Sequence, residues 1–209
     1  MSAAVQPRAG ADQTDIPFVV RASVKLGILE SVFVLLLGLA SIYLDGTAET
    51  IVLGALVTVG VLVVTLLPGI WTRAETIEGI SGAAGIGLAA AWVFLIIDVA
   101  LFQPFGLYTN RWLAIGGGSN WWYHPVWWMI GTYLPWFGAW QLANQAARGR
   151  APNPAMVAVI SLVFTAVCGA GAVLTHFPGA GWNLGTFGVA FLPGLALATL
   201  VSVLGARRK

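Results

Sequence analysis

The sequence predicts an all-α integral membrane protein with six transmembrane helices and both termini cytoplasmic. Three observations carry that expectation. The chain has 209 residues, of which 58% are hydrophobic and only 9% charged, whereas a water-soluble domain is about one quarter charged. Its mean hydropathy is +0.86. The apolar residues gather into six runs of about 20 residues, the length that crosses roughly 30 Å of hydrocarbon at 1.5 Å per residue. Finally, nine of the ten basic residues lie on one side of that pattern: Arg8, Arg21, Lys25, Arg73, Arg148, Arg150, Arg207, Arg208 and Lys209, with Arg111 alone on the other. Basic residues are retained on the cytoplasmic face, which sets the orientation.

The elements follow in order. Residues 1–17 form a polar N-terminal tail without the charged-then-apolar order of a cleavable signal, leading into an interfacial turn at Pro17. A single domain, 18–209, holds the spans. The first covers 26–43 and ends at the turn-forming Asp45-Gly46; the second covers 51–70, broken by Pro68-Gly69. The third covers 79–102, followed by a long external loop that contains Gly116-Gly117-Gly118. The fourth covers 121–143, the fifth 155–175 and the sixth 185–204. Membrane strands are excluded, because the runs are about twice a strand's length and lack polar–apolar alternation. Helices also satisfy their own backbone in lipid. Pro135 and Pro193 each remove a backbone donor and are expected to bend their helices.

In the third span Gly79, Ala83, Gly87 and Ala91 recur every four residues and leave a groove along one face. Small residues let a second helix approach closely. That helix belongs either to this chain or to a neighbouring subunit.

The segment from Ser119 to Trp140 is the compositional outlier, with six tryptophans and two tyrosines. Trp and Tyr favour the headgroup level, so an aromatic belt accounts for most of them. Trp127, Trp128, Trp136 and Trp140 lie deeper. They fit a pocket for a small apolar or aromatic ligand, or a surface for another subunit.

The orientation places Asp98, His124 and His176 near one depth on three consecutive helices. Three arrangements fit: separate interfacial groups; a haem held by His124 and His176, or a metal ion held by both with Asp98; and an Asp98 paired with Arg111 or taking up protons. Glu30 is expected about one turn into the first span, at the cytosolic interface near Arg21 and Lys25. The lone Cys168, in an apolar run, packs as a small core residue.

No GxSxG elbow, HExxH helix or phosphate-gripping loop is present, which argues against an enzyme and leaves no catalytic residue to name. No basic stripe marks a nucleic-acid partner. In size and topology the outline resembles the substrate-binding components of vitamin importers. The expectations for function are therefore three: a non-catalytic subunit of a respiratory, photosynthetic or transport assembly in a bacterial-type inner membrane; a haem- or metal-binding redox protein; and a small-molecule carrier. Lipid and other membrane subunits are the expected partners.

Overall fold

The computed structural model describes residues 12–108 and 123–204. Arg8, Arg111, Trp112, the Gly116-Gly117-Gly118 run, Trp121, Trp122 and the C-terminal basic residues lie outside them. Six long helices result: α1 (Ile16–Tyr43), α2 (Gly46–Trp71), α3 (Ile77–Ile97), α4 (Tyr123–Ala147), α5 (Pro154–Leu174) and α6 (Leu184–Leu204). A single π-helical turn, Asp98–Phe102, extends α3. Five of these helices, all but α4, are long and apolar enough to cross a membrane.

The fourth helix is less apolar because it is the hub of the bundle. It packs on α3, α2 and α6, while α1 packs on α3 and α2, and α5 rests mainly on α6. A helix surrounded by protein tolerates polar side chains that a lipid-facing helix could not carry.

Close approach to this hub is made by glycine. A Cβ on Gly87 would lie 2.0 Å from the Gly131 carbonyl oxygen and 2.4 Å from Pro135 Cγ. On the other flank, a Cβ on Gly138 would lie 2.0 Å from the Thr65 carbonyl oxygen. The small-residue groove of α3 is thus filled from within the chain. Ala83 and Ala91 are fully buried; Ala83 packs in a cluster with Ala139 and Ala143 of α4, and Ala91 faces Gly131. Gly79 is covered by Asp12 and Ala74. Gly79, Ala83, Gly87 and Ala91 therefore form an internal seam and not a subunit interface.

Helix ends obey local chemistry. Asp15 caps α1, accepting from the Phe18 N–H at 3.1 Å, with Pro17 in the first turn. This start lies ten residues ahead of the expected one, and the difference relocates Glu30, as shown below. Four helix ends close in the same way, with paired bonds around a residue of positive φ. Those residues are Arg73 (φ 50), Gly106 (φ 66), Gly149 (φ 70) and His176 (φ 54). At His176 the bonds are Phe177 N–H to the Ala172 carbonyl (2.9 Å) and His176 N–H to the Val173 carbonyl (3.1 Å). This is the Schellman arrangement, which favours glycine.

Gly87→Ala is expected to destabilise the bundle by about 1–3 kcal/mol, because backbone on the facing helix must move. Gly85→Ala, on the same helix with nothing within 4 Å of its added Cβ, should leave stability unchanged or slightly raised. Thermal unfolding midpoints in mild detergent compare the two.

Candidate functional site

Three groups of polar side chains stand out among the described residues. The first is at the face that holds both termini. Here Asp12 precedes α1 and folds back onto the start of α3. Its carboxylate accepts the backbone N–H groups of Glu75 (2.9 Å), Thr76 (3.2 Å) and Gly79 (3.0 Å), and the Thr76 hydroxyl. Gln13 N–H donates to the Thr72 carbonyl at 2.8 Å, and the Thr14 hydroxyl donates to Glu78 at 3.0 Å. A carboxylate at a helix N-terminus meets unsatisfied donors and the positive end of the helix dipole. Partial burial opposes ionisation of Asp12, but the hydrogen bonds from Thr76, Glu75 and Gly79 outweigh it and hold the carboxyl below its ordinary value.

The second group joins α4, α5 and α6. Gln141, Ser161 and Thr199 are all buried. The Gln141 amide donates to Thr199 Oγ1 at 3.2 Å and to Ser161 Oγ at 3.5 Å, and the Thr199 hydroxyl donates to the Leu195 carbonyl at 2.9 Å. One turn nearer the termini, Asn144 donates to Ser202 Oγ at 2.8 Å and Arg148 donates to the Ser202 carbonyl. These bonds tie three helices together at one depth.

The third group lies toward the opposite face and contains two carboxyls. Asp98 is fully buried at the start of the π turn. Gln103 Nε2 donates to its Oδ2 at 2.7 Å, and the Tyr108 hydroxyl donates to Oδ1. The π turn and the reversal at Gly106 carry Tyr108 back over the carboxylate. Asp98 thus fastens the beginning of the long connection to α3, through partners that were not foreseen.

Glu30 differs from its expected place. With α1 starting at Ile16 it lies midway along a 28-residue helix, roughly 21 Å from the first turn. It is 6% exposed, while Arg21 and Lys25 are exposed. It is therefore a carboxyl buried within the bundle, apart from Arg21 and Lys25. Its Oε2 is buried and accepts no hydrogen bond.

The histidines separate. His124 is half-buried in the first turn of α4. His176 is exposed in the turn after α5. Those two helices touch only slightly. Among the described residues no group of three or more His, Cys, Asp or Glu side chains could hold a metal ion. The expected set of Asp98, His124 and His176 is not assembled, because α5 reaches the bundle through α6, away from α3. His176 ends a helix instead.

Trp127 and Trp128 are half-buried and engaged within the chain. Trp127 meets Phe94 at 4.6 Å between ring centroids, and Trp128 stacks on Trp92 at 5.1 Å. Both join Val34, Phe94, Leu95, Phe102 and Tyr108 in one cluster. Deeper, Trp136 stacks between Phe137 and Trp140. The indole Nε1 of Trp128 is buried without an acceptor. A separate cleft of about 240 Å³ opens near Arg73, Glu75, Leu142, Pro152 and Pro154.

The chain matches no protein-family model, no curated protein and no solved structure.

Two expectations follow. Hydrogen exchange at the start of α3 should be slow and constant at neutral pH in the wild type. A carboxyl held below its ordinary value in the fold contributes stability that is fully present above that ordinary value. It is lost as pH falls through the lowered one, so protection should decay below about pH 4. Asp12→Asn should lose protection already at neutral pH. Separately, His176→Gly removes a left-handed non-glycine residue, and is expected to preserve the fold and raise stability by up to about 1 kcal/mol. Its unfolding midpoint measures this, and a fall would point to a further role for the imidazole.

Proposed function

We propose that the protein is a non-catalytic integral membrane subunit of a larger assembly of the respiratory, photosynthetic or transport kind, seated in a bacterial-type cytoplasmic membrane. The observation that carries this reading is the uneven covering of its helices. Only 11% of the most apolar stretch of α2 is buried within the chain, and 22% of that of α5. Yet α2 stands in the middle of the connectivity, against α1, α3 and α4. The exposed apolar residues of α5, Met156, Val159, Val163 and Val167, and the half-buried length of α2 suit neighbouring helices as well as lipid.

Two further features support it. The described connections at 72–76, 148–153 and 175–183 are short, and among the described residues little of the chain lies outside the helices. Many of the buried polar groups, Asp98 and Gln141 foremost, fasten this chain's own elements together. Hydrogen bonds of this kind are a common adhesive between membrane helices.

A second reading, a small-ligand carrier, is favoured by Trp128. Its unpartnered indole N–H beside Trp127 would suit an apolar molecule that carries one acceptor oxygen.

Native mass analysis of the gently solubilised particle tests both. A particle heavier than the 21.9 kDa chain by the mass of further protein is expected. A lone protomer would overturn the subunit reading, and a retained small molecule lost on Trp128→Phe would favour the carrier.

A further inference from the structure

We infer that Glu30 is a proton-binding site within the membrane, a carboxyl that takes up and releases H⁺ inside the helix bundle. The inference is separate from the subunit reading and holds whether the chain acts alone or in an assembly.

The argument begins with what Glu30 does not do. Asp98, Gln141, Ser161 and Thr199 hold neighbouring elements, and Ser23, Ser31, Thr65, Thr72 and Thr165 bond back to their own helices. Glu30 is buried to the same degree but its Oε2 has no partner, so it is not fastening helices. An ionisable side chain at such depth that contributes no helix contact marks an ion or proton path.

Position adds to this. The Cβ site of Gly27, one turn before Glu30, lies against Ala90 and Val93 of α3, and one turn beyond it Val34 packs with Phe94 and Leu95. Since α1 and α3 run in the same direction, Asp98 lies about one turn, roughly 5 Å, farther along the bundle axis. Asp98 and the Tyr108 hydroxyl lie on that farther side, beyond the apolar cluster of Val34, Phe94 and Leu95. Among the described residues, the other charged groups on the packed elements lie toward the helix ends. Glu49 is in the first turn of α2, Glu78 is in that of α3, and Arg21 and Lys25 are exposed. On α4 His124 lies in the first turn. A proton suits the site better than a metal ion, which needs a shell of several oxygens; among the described residues no cluster of acidic ligands surrounds Glu30.

Dicyclohexylcarbodiimide, an apolar reagent that modifies protonated carboxyls, provides the test on the full chain in detergent or vesicles. Peptide mass mapping is expected to find the adduct on Glu30, declining as pH is raised. A water-soluble carbodiimide should leave Glu30 unmodified while labelling surface acids. Glu30→Gln should abolish the membrane-level adduct and Asp98→Asn should retain it. The wild-type map stands without either variant should one fail to fold. No adduct on Glu30, an adduct independent of pH, or protection by sodium at constant pH would overturn the proposal, the last by assigning the site to a metal cation.

Discussion

Everything in this bundle depends on how closely its helices approach α4. Gly87 and Gly131 bring α3 and α4 together at backbone distance, and Gly138 does the same against Thr65 of α2. In lipid there is no hydrophobic gain from pairing two apolar helices, so dispersion and hydrogen bonding over short distances must hold them. The glycines create those distances. Once α3 and α4 are in register, Trp127 meets Phe94 and Trp128 meets Trp92. The outer cluster and the Asp98 fastening then have a rigid wall to form against.

Polar groups follow a consistent rule at each depth. At the face with both termini, backbone donors at the start of α3 are satisfied by Asp12. Within the bundle, Gln141 joins side chains from two further helices. Near the opposite face, Asp98 meets Tyr108 and Gln103. Glu30 departs from this rule, and a departure of this kind is where a function is sought.

Much of the architecture was legible in the sequence because hydrocarbon thickness sets a length that apolar runs display directly. All six runs became helices, with ends near those expected except at α1. There the apolar run begins at Leu26, but the helix itself begins at Ile16, where Asp15 supplies the cap and the turn expected at Pro17 is its first. Those ten further residues of helix place Glu30 midway along α1. The groove of Gly79, Ala83, Gly87 and Ala91 was visible as a spacing, but its occupant was not, since spacing on one helix is silent about the partner. Asp98's partners were hidden for another reason: a π turn and a left-handed glycine redirect the chain. Gln141, Ser161 and Thr199 were within reach of sequence reasoning, because counting from the ends of α4, α5 and α6 gives them a common depth.

The attachment of α5 through α6 has a bearing on how the bundle closes. These two helices pack on each other more than on anything else. Without α5 and α6 the Gln141 amide on α4 would lack the hydroxyls of Ser161 and Thr199. The α5–α6 hairpin thus carries the partners that complete a polar edge of the other four helices.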